Sequence, residues 1–461
     1  MKIFILNPCL YTGKLSKRQR KRQPLDLGYL AALLRQNYEV KLLDANALDL
    51  SLEETIAEIN KFNPEVLVLT STPIDHWQAP SHDHVKVLAA NMVKTVNSIS
   101  VPNIILTGTH GSITPEWVLK KMKVNFVVRG EPEYTVLNLV SALAKGNDWS
   151  GLKGISYLKA EKVINNPSAE RIQNLDELPL PAYDLLPMEK YRYTFSDIPT
   201  PFSIILSSRG CPNRCVYCLQ VMMPGRYIVR SPENVVAEIK YLVEKFGVKG
   251  IYFQDWEFMI IKERVKKICD LIIAEKIKIK WGCNGRAVNI DDELVAKMKQ
   301  AGCVRVNIGF ESGADAVLQT IKKNVSPQAL KNAFAVCKKY GINIGVYSLL
   351  NLPGETKKTI SETEKFLVDN DLQVMCSTNF PIPYFGTEMY EMLKKQEGRQ
   401  SFDWEKLDKY AGKVGVSQPP WLAKIYRWHY KYKYTLGRWY FLKPKFYAKF
   451  IKLIKSRIYF H

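Results

Sequence analysis

Along the first 150 residues, short apolar runs alternate with longer stretches in which apolar residues return every three or four positions. The runs at 2–6, 40–43, 65–69, 104–106 and 126–128 have strand length. Each stops at residues that turn the chain: Asn7-Pro8, Asp44, Thr70-Ser71-Thr72, Thr107-Gly108-Thr109-His110 and Arg129-Gly130-Glu131. Between them, 29–35 carries Leu30, Leu33 and Leu34 at helical spacing, and 52–62 reads as a helix with Ser51 as its N-cap. Strands alternating with helices predict a doubly wound parallel sheet. Such sheets bind ligands beyond the carboxyl ends of their strands. Ser71, Thr72, Gly108, Thr109 and Gly130 fall at those ends, and are small or polar enough to let a flat, polar-edged ligand approach the backbone. His110 reads equally as a ligand contact and as a turn histidine capping the next helix.

After residue 150 the pattern changes. Residues 154–158 and 163–164 suggest a small hairpin, and the Pro-rich stretch 178–187 cannot continue a helix, so 151–196 is taken as a linker. From 197 to 395 the alternation resumes. A strand at 203–206 runs into a loop, and 231–246 is an amphipathic helix with Ser231 as N-cap and Pro232 at its first position. The strand 250–253 ends at Gln254-Asp255-Trp256-Glu257, and 280–281 leads to Gly282-Cys283-Asn284-Gly285-Arg286. The strand 306–310 is followed by Glu311-Ser312-Gly313, and 341–350 by Asn351-Leu352-Pro353-Gly354-Glu355. This order fits a partial β/α barrel, whose catalytic face is the carboxyl end of its strands. For Glu355 the simplest reading is a cap on the next helix, and Arg305 fits a structural ion pair as well as a substrate contact.

Composition adds little until charge is considered. With 46% hydrophobic and 24% charged residues, a chain of 461 residues can bury a sizeable core in two or three domains. Its formal net charge of +21 suits polyanions: nucleic acid, anionic lipid or an acidic substrate. Six basic residues crowd 14–22, in a loop that reads as solvated or as reaching a phosphate. From Trp421 onward there is no Asp or Glu. Phe446, Phe450, Ile454 and Ile458 recur every four residues, flanked by Lys445, Lys449, Lys452 and Lys455. Region 396–461 is therefore read as a basic, aromatic helical tail for an anionic membrane surface, for packing on the barrel, or for nucleic acid. No apolar run approaches the ~18 residues of a membrane span, and no secretory h-region is visible, which places the protein in the cytoplasm, with membrane association through the tail.

The chemistry lies in the cysteines. There are nine, scattered except in Ser207-Ser208-Arg209-Gly210-Cys211-Pro212-Asn213-Arg214-Cys215-Val216-Tyr217-Cys218. Gly210, Pro212 and Asn213 make this segment a loop. Three thiolates on one loop can hold three corners of a cubane [4Fe–4S] cluster, leaving the fourth iron open. Structural zinc wants four protein ligands and no fourth is near; a redox pair does not need the third cysteine. Cys269, Cys283, Cys303, Cys337 and Cys376 read as packing thiols.

This spacing, with Tyr217 before the last cysteine, resembles the signature of radical S-adenosylmethionine (SAM) enzymes. The resemblance runs through about 190 residues of the barrel. Pro24 with Gly28, Asp44, the Thr-Ser-Thr strand end, Gly108 with His110, and Arg129-Gly130-Glu131 resemble the cobalamin-binding domain of the cobalamin-dependent members, although their Asp-x-His-x-x-Gly pattern is absent. The resemblance implies an α/β chain in four parts: a Rossmann-type cobalamin domain at 1–150, the linker, a radical SAM partial (β/α)6 barrel at 197–395, and the tail. It implies that SAM chelates the open iron and yields a 5′-deoxyadenosyl radical. Asp255 and Glu257 would meet the methionine amino group, Arg286 the carboxylate, Glu311 and Ser312 the ribose or methionine, and Asn351 with Pro353 and Gly354 the adenine. It further implies methyl transfer, one SAM methylating cobalt and a second supplying the radical, to an unactivated carbon of a hydrophobic or lipid-like small molecule. An external donor such as flavodoxin or ferredoxin would supply electrons. Oxidase, cyclase or coupling chemistry without methyl transfer, RNA modification, and a non-catalytic iron–sulfur binding protein are the rivals. Methylthiotransferases resemble the core but carry an N-terminal three-cysteine cluster domain, for which this N-terminus offers only Cys9.

Overall fold

The computed structural model describes residues 1–9, 21–71, 82–193, 197–222, 225–372 and 376–417. Thr72, residues 14–20 of the basic loop and the tail from 418 lie outside the described residues. The chain divides into two compact units, one of residues 1–213, 218–306 and 339–343, the other of 214–217, 307–338 and 344 onward.

The first unit opens with a sheet built from β1 (Lys2–Asn7), β2 (Glu39–Asp44), β3 (Val66–Thr70), β4 (Asn103–Thr107), β5 (Phe126–Val128), β6 (Ile155–Lys159) and β7 (Lys162–Asn165). Their order is β2-β1-β3-β4-β5-β6-β7, with the first five parallel and the last two antiparallel. Every residue of β3 and β5 is buried, as near-continuous apolar runs between two helical layers require. The hairpin at the start of the expected linker thus belongs to this sheet: Phe126 pairs with Tyr157, and Trp149 packs edge-on against both rings. Helix Leu25–Leu34 is buried on every side. The backbone of its Gly28 accepts the Ala182 N–H at 3.0 Å, which clamps the Pro-rich segment onto it. Helix Leu52–Phe62 starts at Ser51 through a reciprocal capping box with Glu54.

The same unit contains the start of a second sheet: β8 (Phe202–Ile205), β11 (Gly250–Phe253) and β12 (Lys280–Gly285) in parallel, then the beginning of β13 (Cys303–Glu311). A two-stranded ribbon, β9 (Ser208–Arg209) with β10 (Ile228–Val229), follows β8. Helix Pro232–Phe246 begins at Ser231, whose side chain accepts from the Asn234 N–H. In the second unit the rest of β13 is followed in the sheet by β14 (Asn343–Leu349) and β15 (Cys376–Asn379), with helices Pro327–Lys339, Lys357–Asp369 and Glu388–Glu397. Strands β12 and β13 outrun the sequence reading because Gly282 to Gly285 in β12 and Cys303 and Arg305 in β13 carry no apolar run to mark them.

Candidate functional site

The three-cysteine segment is the loop between β9 and β10, and in the first unit both its ends are pinned. Arg264 donates to the Ser207 carbonyl at 2.7 Å and to the Arg230 carbonyl at 2.8 Å. Gly210 has φ +86°, and a Cβ there would sit 3.0 Å from the Arg226 carbonyl, so glycine is required immediately before Cys211. Cys211, Cys215 and Cys218 are partly buried and unbridged, and Asn213 Nδ2 lies 3.4 Å from the Cys211 sulfur. In the second unit the Val216 N–H donates to Ile321 O at 3.2 Å and its carbonyl accepts from the Met389 N–H at 2.9 Å.

Beneath this loop in the first unit lie the acids at the end of β11. Asp255 is fully buried and accepts from Ser207 Oγ at 3.0 Å, from the Ser207 N–H at 3.3 Å and from Ser208 Oγ; burial raises its carboxyl above the ordinary range. Its backbone accepts from Asn284 Nδ2 at 2.9 Å. Glu257 accepts from the Met259 N–H at 3.1 Å. Burial pushes its carboxyl up to about 7, against hydrogen bonds from Met259 and Asn289 and the nearby Arg286 guanidinium. Thus Glu257, Arg286 and Asn289 are brought together, whereas Asp255 is committed to the two serines that enter the cluster loop. Arg305 pairs with Asp197 at 2.7 Å. Cys269, Cys283, Cys303 and Cys337 are all buried; the side chain of Cys376 is outside the described residues.

In the second unit, Glu311 closes β13 with φ +59° and Asn351 follows β14 with φ +58°, left-handed conformations uncommon for side chains that have a Cβ. Glu311 accepts from Lys323 Nζ at 2.9 Å, and that nitrogen lies 3.5 Å from the Tyr217 hydroxyl. Ser348 Oγ donates to the Glu311 carbonyl at 2.9 Å, and Ser312 shares a 2.8 Å bond with Thr363. Asn351 Nδ2 donates to the Gly412 carbonyl at 2.9 Å. Glu355 does not cap the next helix. Thr356 does, in a capping box with Thr359, and the Glu355 carboxylate instead accepts the Asn351 N–H inside its own turn, where burial pushes it up to about 7. Lys323 was not found in the sequence: twelve residues separate it from Glu311, and no periodic pattern marks it.

On the first sheet, Ser71, Gly108 and Gly130 stand just past the ends of β3, β4 and β5. Ser71 Oγ accepts the His110 N–H at 3.1 Å and donates to Thr107 O at 3.3 Å, and the Gly130 N–H donates to Ser112 Oγ at 2.9 Å. Gly108 has φ +94° and ψ −166°, a region open only to glycine. Thr109 begins a five-residue helix and His110 is buried within it. Thr107 Oγ1 is buried without a hydrogen-bond partner, and Asp44 is held by Asn7 Nδ2, the Tyr191 hydroxyl and the Ala47 N–H at 2.7 to 2.9 Å. The two described members of the basic loop are not solvated: Lys21 binds Ala47 O and Asp49, and Arg22 donates to Gln254 Oε1 at 2.9 Å.

The donor chemistry fits the two groups the fold implies. Among the described residues no three His, Cys, Asp or Glu side chains are gathered as a metal site. The fit to a cubane therefore rests on three unbridged thiols within eight residues of one pinned loop. For a corrin, the orphaned Thr107 hydroxyl and the glycine-only backbone at Gly108 supply polar, sterically open strand ends.

Residues 15–140 match the B12 binding domain model and residues 205–367 the radical SAM superfamily model. The chain belongs to the radical SAM enzymes that carry a B12-binding domain. It is a cobalamin-dependent enzyme that uses a [4Fe–4S] cluster and SAM. An uncharacterized methyltransferase of Pyrococcus horikoshii is 33% identical over 385 residues, covering 83% of this chain and 81% of the relative. The anaerobic magnesium-protoporphyrin IX monomethyl ester cyclase of Rubrivivax gelatinosus is 28% identical, covering 80% of this chain and 66% of that protein. Among solved structures, the radical SAM methyltransferase TsrM of Kitasatospora setae, with cobalamin and a [4Fe–4S] cluster bound, shares the fold with a TM-score of 0.68, at 18% identity over 86% of this chain and 75% of that one.

Proposed function

We propose that the enzyme transfers a methyl group to an unactivated carbon of a hydrophobic, lipid-like small molecule. The observation that carries this reading is the methyltransferase-named relative, which aligns through both the B12-binding and radical SAM parts over 81% of its length. When bound, the cluster with SAM supplies a radical that removes hydrogen from the substrate carbon, and cobalamin supplies the methyl group. Cys211, Cys215 and Cys218 hold the cluster, with Tyr217 beside them. Glu257 accepts from the SAM amino group, Asp255 holds the serines at the entry to the cluster loop, and Arg286 takes the carboxylate through its planar fork. Glu311, held by Lys323, and Ser312 serve the ribose, and Asn351 the adenine. Ser71, Thr72, Gly108, Thr109, His110 and Gly130 face the corrin. A flavodoxin- or ferredoxin-type donor supplies electrons. The enzyme works in the cytoplasm, its basic tail on an anionic membrane surface. Among the described residues no helix is long and apolar enough to cross a membrane. Its four parts are residues 1–150 with the β6–β7 hairpin added to their sheet, the remainder of 151–196, residues 197–395 and residues 396–461.

The test is anaerobic reconstitution with iron, sulfide and hydroxocobalamin, followed by metal analysis and assay of lipid extracts with methyl-labelled SAM. About four irons and one cobalt per chain, with a product heavier by one labelled methyl, are expected. Iron without cobalt would overturn methyl transfer through cobalamin. A product that changes mass without the label would place the chemistry with cyclases and oxidases.

A further inference from the structure

Three charged side chains, Arg209, Glu131 and Glu133, are buried together in the first unit between the end of β5 and the cluster loop, with the partly exposed Arg171 beside them. Arg209 Nη1 donates to Glu131 Oε1 at 3.1 Å and Arg209 Nη2 to Glu133 Oε1 at 2.6 Å. The other Glu131 oxygen accepts from Arg171 Nε at 3.2 Å and from the Ile172 N–H at 2.9 Å. Arg171 Nη1 in turn donates to the Arg226 carbonyl at 3.0 Å, at the far end of the cluster loop. The side chains of Arg209, Glu131 and Glu133 are 5%, 5% and 1% exposed. The Arg209 guanidinium also lies over the Tyr29 ring, 5.5 Å from its centroid.

Buried ion pairs add little net stability over apolar packing, so such a group calls for another account. Glu133 Oε2 and Arg171 Nη2 are buried without a protein partner. Position gives that account. Glu131 directly follows Gly130 at the sheet's ligand-binding edge, and Arg209 precedes Cys211 by two residues. A Cβ on the intervening Gly210 would lie 3.2 Å from Arg171 Nη1, so both arginines bear on the turn that presents Cys211.

We propose that Glu131 and Glu133 are positioning residues for the iron–sulfur cluster, acting through Arg209 and Arg171 on the turn that presents Cys211. Through them, cobalamin binding and cluster binding strengthen one another. The coupling rests on the reading of Gly130 as a cobalamin contact; the positioning of the cluster does not. Because coupling between sites is reciprocal, it can be read from either side.

The experiment uses the full chain as wild type, Glu131→Gln, Glu133→Gln, Arg209→Lys and, as control, Glu116→Gln, whose exposed pair with Lys120 is remote in role. Iron release to a chelator is timed on the reconstituted protein without cobalamin. Hydroxocobalamin affinity is then measured by ultrafiltration on cluster-loaded and cluster-free protein. Expected are iron release about tenfold faster in the glutamine variants, and a loaded-to-free affinity ratio of about fivefold or more in wild type that falls toward one in them. Arg209→Lys keeps the charge but loses the fork and should behave likewise; it also decides the matter should a glutamine variant fail to fold. Variants that match wild type and Glu116→Gln in both measurements overturn the proposal. A wild type that binds no hydroxocobalamin overturns the cofactor reading and the coupling with it, while iron release still decides whether the carboxylates position the cluster.

Discussion

A carboxyl near neutrality is unusual at the end of a barrel strand, and Glu257 is one because burial outweighs the Met259, Asn289 and Arg286 interactions that favour its charge. In the proposed role it must be ionised to accept from the amino group of SAM. The sign follows from linkage. Below about pH 7 the free enzyme holds a proton on Glu257 that SAM binding must displace, so the contribution of this group makes affinity rise with pH and level off above 7. Between pH 6 and pH 8 the dissociation constant for SAM should fall about tenfold, measured by anaerobic calorimetry on cluster-loaded protein, and Glu257→Gln should flatten the profile. A profile that keeps its slope in Glu257→Gln would shift the role to another group. Glu355, also raised to about 7, is the first to examine. Asp255 differs: its oxygens are already met by Ser207 and Ser208, so its direct effect is on the strand that enters the cluster loop.

At the level of elements, local chemistry was the legible part. Ser231-Pro232 does start its helix, Ser51 does cap the helix that follows it, and Gly108 and Gly130 do fall just past parallel strands. What escaped the sequence is long-range pairing. Glu131 and Glu133 meet Arg209 across 78 and 76 residues, and Lys323 reaches Glu311 around a turn that no periodicity predicts. The hairpin β6–β7 was seen, but not its pairing with β5, because register between distant strands leaves no local trace. The two kinds of glycine can be separated by experiment. Gly146 caps helix Pro132–Lys145 at φ +65° with open space where a Cβ would go, so Gly146→Ala should cost about 1 kcal/mol and leave hydroxocobalamin retention unchanged. Gly108 occupies a backbone region closed to other residues, so Gly108→Ala should cost about 1–3 kcal/mol in urea denaturation and reduce retention as well. Equal retention in both variants would remove the β4 end from the cofactor site.

Across the whole chain the charge is unevenly spread. Between residues 418 and 461 there are eleven Lys or Arg and no Asp or Glu, more than half of the net +21. Tyr, Trp and Phe are interleaved with these cations, and Phe446, Phe450, Ile454 and Ile458 keep a four-residue period. A basic segment near an anionic bilayer gains about 1 kcal/mol per cation, screened within a Debye length, and aromatic anchors add an apolar contribution that salt does not screen. These two contributions respond differently to salt, which gives the test its content. The full-length enzyme should co-sediment with phosphatidylserine-containing vesicles and not with purely zwitterionic ones, and the bound fraction should fall as salt is raised. Replacing Lys445, Lys449, Lys452 and Lys455 together by Gln should abolish binding while leaving iron and cobalt content at the wild-type level, since none of the four belongs to the proposed cofactor sites. Failure of the wild type to sediment with the anionic vesicles would remove the membrane surface from the proposal, and with it the argument for a lipid-like substrate; equal binding of the quadruple variant would take the contact away from these four lysines. Loss of vesicle binding alongside intact metal content would instead direct the substrate search to molecules that partition into the same interface.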